Sequence, residues 1–391
     1  MQQLTRSRAL PALMEELVEE ILLRLPLEEP PAHLVRAAMV CKAWRRILSD
    51  GGFRRRYCRF HRATPTLLGY VCGVFNDAGP QFIPTNSYFS PPPLPTSCSY
   101  SAIDCRHGRV LIQVTSEDGS PEGFIIWSLV TGSRQNLITF PSYPRQGFCS
   151  FTGAVLCARH RHGCDHLDCH DGPFLVVLVG THDPHPENHA VPEHHVMHTW
   201  ASVYSSETGA WSAQTYSTDK NCYSAGGWTK PSLLIGDTLY FTIACHVIRI
   251  LKYDLGGHGL SVIDTPPQVH KAVPIDVDGR LGIVQSHCSC IYTWSWQVDA
   301  HGVGEWVRRN VVVLETLIPT IHDVRCPDDT IHFAEGTNTV FLCLYNLGVF
   351  TLDLNSRQVR EVNFNKTCDH DVLPYVSFYI PADFAKGKLS S

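Results

Sequence analysis

Val203-Tyr204-Ser205-Ser206-Glu207-Thr208-Gly209-Ala210-Trp211 reads as a strand, a tight turn and a returning strand. A β-branched and aromatic run enters a corner of small, polar and glycine residues and leaves it as another short run. Three more phrases have the same shape: Ile125-Ile126-Trp127-Ser128-Leu129-Val130-Thr131-Gly132, Leu251-Lys252-Tyr253-Asp254-Leu255-Gly256 and Phe350-Thr351-Leu352-Asp353-Leu354-Asn355. One corner used four times points to one supersecondary unit used repeatedly.

Upstream of these phrases lie further strand-like runs, Arg109-Val110-Leu111-Ile112, Phe174-Leu175-Val176-Val177-Leu178, Thr238-Leu239-Tyr240-Phe241 and Thr339-Val340-Phe341-Leu342-Cys343-Leu344. The units fall near residues 100–140, 150–215, 231–265, 278–315 and 328–363. About four strands every ~45 residues is the signature of propeller blades. A sixth, split unit can form from Leu67–Val74 together with Tyr375–Ile380. Pairing the last strand with the first closes the ring and removes edge strands that would otherwise seek partners. The expected body, residues 64–384, is therefore an all-β, six-bladed propeller.

Composition agrees. The 391 residues exceed what one core usually organises, and 44% hydrophobic with 18% charged residues fits a folded, β-rich chain. The formal charge of -5 divides unevenly: residues 1–60 carry 11 Lys/Arg against 7 Asp/Glu, leaving 21 against 30 for the rest. Neither part has the concentrated basic face that nucleic-acid binding requires. Met1 to Glu20 mixes arginines and glutamates without an uninterrupted apolar run, so neither a signal peptide nor a membrane span is expected. The 16 cysteines are scattered through apolar stretches such as Thr242–Cys245, which predicts free thiols and a cytoplasmic or nuclear location.

The first 60 residues have a different texture. From Ala12 to Leu25 the residues Leu13, Met14, Leu17, Val18, Ile21, Leu22 and Leu25 follow helical spacing, with Glu15, Glu16, Glu19 and Glu20 opposite and Leu23 among the glutamates. Pro11 suits a helix start, Pro26 stops it, and Pro30-Pro31 open a second segment, His33 to Val40, followed by Lys42 to Leu48. The spacing predicts a three-helix head, α+β by domain with the body behind it. Residues 8–60 bury too little surface to be comfortably stable alone, so the apolar excess of the first helix reads as a docking surface. The stretch Val40 to Trp44 is expected to close the internal core, with Trp44 as its largest buried member.

Leu10-Pro11, Leu17, Ile21-Leu22, Leu25-Pro26, then Val40-Cys41-Lys42-Ala43-Trp44-Arg45, and Phe53 resemble the F-box motif in order and spacing. That resemblance implies a head that binds a Skp-type adaptor bridging to a cullin, with Leu10, Pro11, Leu17, Ile21, Leu22, Leu25 and Pro26 at the contact. It departs from the family where Ala12, Leu13 and Met14 stand in place of the acidic residues that often follow the Leu-Pro. The body resembles the F-box-associated propeller regions of plants, especially grasses, through Leu67-Leu68-Gly69-Tyr70. Together these imply a non-catalytic substrate receptor of a ubiquitin ligase, with an unknown protein target and no cofactor. A ligase-independent F-box protein, a propeller enzyme and a metal-binding protein are the alternatives.

Ten of the 21 histidines lie between His160 and His198, interleaved at first with Cys164 and Cys169 and preceded by Cys157. A zinc site would use Cys164, His166, Cys169 and His170, but those spacings match no finger pattern. The insertion, about 157–198, is therefore expected to be a polar loop, and no metal is assigned. Gly-rich phosphate loops, Gly-x-Ser-x-Gly elbows and His-Glu-x-x-His are missing. A site collected across blades would have to draw on residues such as His246, Asp276, His287 or Asp323.

Overall fold

The computed structural model describes residues 14–26, 32–61, 66–72, 80–84, 99–116, 121–129, 132–137, 149–164, 166, 169, 172–182, 198–217, 231–244, 248–269, 272–287, 289–318, 330–344, 347–362 and 372–377. They divide into two compact units, residues 14–61 and residues 66–377. No described helix is long and apolar enough to cross a membrane.

The first unit holds α1 (Glu15–Leu23), α2 (Ala32–Val40), α3 (Lys42–Ser49) and α4 (Gly51–Phe60). The fourth helix is an addition to the three expected. Asp50 starts it, its carboxylate accepting the Phe53 N–H at 2.8 Å. Gly52 leaves room for that cap, because a Cβ there would sit 2.8 Å from the Asp50 oxygen.

The fourth helix changes which side of α1 is covered. Val18, Leu22 and Leu23 join Leu34, Ala37, Ala38, Ile47, Leu48, Phe53 and Tyr57 in the unit's core. Leu23, expected among the glutamates on the surface, turns inward. The Tyr57 hydroxyl donates to the Leu25 and Pro26 carbonyls at 3.0 and 3.2 Å, and His61 Nε2 meets the Leu23 carbonyl at 2.8 Å. Arg56 completes the contact through an ion pair with Glu19. Trp44 is only partly buried and Val40 is exposed, so Phe53 and Tyr57 fill the role expected of Trp44.

The second unit is a ring of six antiparallel sheets. The first blade has Ser99–Arg106, Arg109–Thr115, Pro121–Ser128 and Arg134–Leu137. The second has Cys149–Cys157, Phe174–His182, His198–Ser205, Ala210–Trp211 and the added Thr215–Tyr216. The third has Leu233–Ile235, Thr238–Ala244, Ile248–Asp254 and Leu260–Asp264. The fourth has Ala272–Val277, Arg280–His287, Cys290–Val298 and Gly304–Val313, starting earlier than residue 278. The fifth has Thr330–Ala334, Thr339–Leu344, Gly348–Asp353 and Val359–Val362.

The sixth blade is the split one. Thr66–Cys72 pairs with Gln81–Pro84 on one side and with Val372–Ser377 on the other, Leu67 opposite Val376 and Tyr70 opposite Pro374. Gly69 sits where the register shifts after Leu67. A Cβ on it would lie 2.3 Å from the Phe82 ring and 2.4 Å from the Ile83 carbonyl, so only glycine fits the seam of the ring. The recurring corners have a common chemistry too. Asp254 accepts from Gly256 and Gly257 N–H, Asp353 from Asn355 and Ser356 N–H, and Ser205 from Glu207 N–H. These backbone hydrogen bonds hold both aspartates below the usual carboxylate range.

Burial follows the seams between blades. Tyr70 and Val372 of the sixth pack with Phe341 and Val349 of the fifth, and Ala154 and Val177 of the second with Leu239 and Phe241 of the third. Neighbouring blades therefore share cores, and each depends on the next.

Candidate functional site

The seven residues expected at the adaptor contact fall into three groups. Leu17 and Ile21 are each 47% exposed, and Pro26 is exposed. Leu22 is fully buried and Leu25 partly buried, both against the unit's own core. Leu10 and Pro11 lie outside the described residues. Met14, Leu17 and Ile21 project within about 60° of one another at ~100° per residue, so they make one apolar stripe. The acidic face beside it is held by Glu15–Arg46 at 2.7 Å and by the Glu19–Arg56 pair. Met39 and Val40 are also exposed at the end of α2. Sequence reading missed them because Val40 was taken inward with the Val-Cys-Lys-Ala-Trp stretch. Chemically, this is a surface for an apolar partner.

The propeller carries a buried ionic cluster that joins four blades. Arg106, 5% exposed, ends the first strand of the first blade and forks onto Glu335 of the fifth at 2.8 and 2.7 Å. It also donates to Asp104 at 3.0 Å and to the Ser232 carbonyl, ahead of the third blade, at 2.8 Å. Asp104 accepts the Val155 N–H of the second blade at 2.9 Å, and Glu335 accepts the Leu234 N–H at 3.0 Å. Burial pushes the Asp104 carboxyl up to about 6 against the pull of Arg106. Burial also opposes the charge of Arg106, but Asp104 and Glu335 overcome it and raise its pKa. Every member has a structural partner, so the cluster reads as a clasp between blades.

Beside the fourth blade a groove of about 630 Å³ is lined by Trp294, Trp296, Trp306, Pro266, Pro267 and Gln268 among others. The Trp296 and Trp306 rings lie 5.1 Å apart at 60°, and Trp306 donates to the Asp264 carbonyl at 2.7 Å. A Cβ on Gly304 would run into Trp296, so glycine is what lets that ring lie flat against the strand. The groove offers aromatic area to a peptide.

The loop of the second blade brings together Cys157, Cys164, His166 and Cys169, whose sulfur and nitrogen atoms all lie within 4.8 Å of one another. Cys157 takes the place that sequence reading gave to His170, which lies outside the described residues. A hydrogen bond with Cys169 draws the Cys157 thiol below its usual range, and the same pairing drives Cys169 up. Of the residues considered for catalysis, Asp276 accepts the Gly279 N–H at 2.7 Å in a hairpin turn. His287 stands at the far end of the adjoining strand, and His246 and Asp323 lie outside the described residues.

The family model described as F-box protein AT5G49610-like, beta-propeller matches residues 101–382, and an F-box-like model matches residues 15–59. A protein of Arabidopsis thaliana named as an F-box/kelch-repeat protein is 28% identical over 153 residues, 37% of this chain and 35% of that protein. The match thus spans about a third of that relative's length. Among solved structures, TolB from Acinetobacter baumannii has a TM-score of 0.35 at 12% identity, covering 84% of this chain and 71% of that one. A prolyl endopeptidase has a TM-score of 0.35 at 13% identity, covering 88% and 52%. With helices matching the F-box-like model ahead of a six-bladed propeller that matches over most of the chain, the protein belongs to the family of F-box proteins with an AT5G49610-like β-propeller.

Proposed function

We propose that this chain is the substrate-recognition subunit of a Skp-cullin-F-box ubiquitin ligase. The helical unit binds a Skp-type adaptor, and through it a cullin, while the propeller holds a protein target. The observation that carries the reading is a helical unit of F-box-like sequence whose core is complete yet leaves Met14, Leu17 and Ile21 outside as one apolar stripe. Burying the exposed half of Leu17 and Ile21 under a partner is worth about 1 kcal/mol each. Leu22 and Leu25 then act from inside, fixing the helix that presents the stripe, and Pro26 follows that helix, exposed.

Catalysis in this reading is supplied by partners. The chain brings a target close to a ubiquitin-charged enzyme, and proximity does the rest. The target would lie in the aromatic groove by Trp296 and Trp306; cross-links from a bound target that map elsewhere on the propeller would remove the groove from this role. Free cysteines such as Cys105 and Cys290 fit work in the cytoplasm or nucleus.

Co-purification of the intact chain, and of a chain starting at Thr64, with a Skp-type adaptor and its cullin tests the proposal. Binding by the intact chain alone supports it. Adaptor binding without cullin recruitment would favour a ligase-independent F-box protein, and no binding by either chain would reject the docking role.

A further inference from the structure

We propose that Cys157, Cys164, His166 and Cys169 form a structural zinc site that staples the long loop of the second blade. Tetrahedral zinc with thiolate ligands at ~2.3 Å sets neighbouring sulfurs about 3.8 Å apart. The four donor atoms lie within 4.8 Å of one another, at most about 1 Å wider than that, and Cys157 and Cys169 are buried. Four protein ligands leave no open position, which makes the site structural.

The hydrogen bonds around His166 prepare it as a ligand. The Gly236 carbonyl can only accept, so His160 Nε2, 2.6 Å away, must carry a proton. With Nδ1 as its lone-pair nitrogen, His160 accepts there from His166 Nε2, 3.2 Å away. The remaining nitrogen, His166 Nδ1, keeps its lone pair and faces the Cys169 sulfur at 3.6 Å. A zinc-ligating histidine usually donates its other ring N–H to a carboxylate, a backbone carbonyl or water, and here the His160 ring nitrogen takes that place. The His107 ring stacks on His166 with centroids 3.8 Å apart and fixes its plane.

The loop also needs a staple. Cys157 pairs with Phe174 at the foot of the hairpin, and the 16 residues between them far exceed the ~2–5 of ordinary hairpin loops. His166 adopts φ +55°, a conformation uncommon outside glycine. The buried Arg109 donates to the Cys169 and Gly172 carbonyls, while its Nη1 has no hydrogen-bond partner among the described residues. Zinc with three thiolates and one imidazole carries a net charge of about -1, which answers that cation. Binding sends the protons of the thiols to solvent, so it strengthens as pH rises.

The test is elemental analysis of the full chain purified in zinc-containing, reducing buffer, with cobalt exchange as a second readout. About one zinc per chain is expected, and cobalt should give the intense bands of a tetrahedral thiolate site. Cys157→Ser/Cys169→Ser should lose the metal. His166→Cys, which offers a fourth thiolate, should keep it with stronger thiolate-to-cobalt absorption, and His194→Ala/His195→Ala should keep it with the bands unchanged. A metal-free wild-type chain, a disulfide among the three cysteines, loss of zinc in the His194/His195 variant, or cobalt bands unmoved in His166→Cys would overturn the site.

Discussion

Arg106→Met should weaken the propeller more than any substitution on its surface. The guanidinium makes two hydrogen bonds to Glu335, one to Asp104 and two to Ser232, in a place that is 5% exposed. Methionine fills similar volume but leaves two carboxylates without their cation. Removing one member of a buried ionic cluster costs about 3–5 kcal/mol. With a urea dependence of ~3 kcal/mol per molar, the midpoint should fall by roughly 1–1.7 M at pH 8. Tryptophan fluorescence is a suitable probe, because seven of the eight tryptophans lie beyond residue 64. The deficit should also depend on pH. Burial already raises the Asp104 carboxyl to about 6 in the presence of Arg106, and without that cation it must rise further. The unfolded carboxyl titrates near ~3.9, so between these values the folded variant binds the proton more tightly and acid stabilises it. The penalty is therefore full at pH 8 and shrinks towards pH 5. A loss below about 1 kcal/mol at pH 8, or one equal at both pH values, would refute the clasp.

Gly69→Ala should lower stability by about 1–3 kcal/mol, read as a lower melting temperature, because the new methyl meets the Phe82 ring and the Ile83 backbone at the ring's seam; an unchanged melt would mean that the seam gives way freely. Asp353→Ala should destabilise the chain at pH 7 and cost less at pH 3 than at pH 7. Its folded pKa lies below the unfolded value, so its contribution is present above ~4 and lost as pH falls through the folded value. Equal losses in melting temperature at both pH values would show that the corner hydrogen bonds to Asn355 and Ser356 are not the cause.

The propeller was legible because its signals are local and repeated. Corners such as Tyr253-Asp254-Leu255-Gly256 and Leu352-Asp353-Leu354-Asn355 recur, and each turn is held by its own side chain. The split blade followed from the need to cover edges, and Leu67 does pair with Val376. The fourth helix was missed because Gly51-Gly52 reads as a break, although Phe53, Tyr57 and Phe60 at helical spacing were a usable signal. Without α4, nothing in the pattern could turn Leu23 inward and leave Leu17 outside. The first strand of the fourth blade, Ala272–Val277, was hidden by Pro274.

Long-range chemistry left no local trace. Arg106 and Glu335 are 229 residues apart in the chain, and ring closure alone makes them neighbours. Cys157 was overlooked as a partner of Cys164 and Cys169 because it ends a strand, whereas the other two lie in the loop that folds back over it.

The central claim, that α1 presents an adaptor-binding stripe on a core it does not itself disturb, is tested most directly by calorimetric titration of a Skp-type adaptor into the intact chain and into Leu17→Asp/Ile21→Asp. The account predicts binding by the native chain and at least ~30-fold weaker binding by the variant, a loss of ~2 kcal/mol or more, with an unchanged melting temperature. Equal affinity for both, or a variant that loses binding only because its helical unit unfolds, would contradict it.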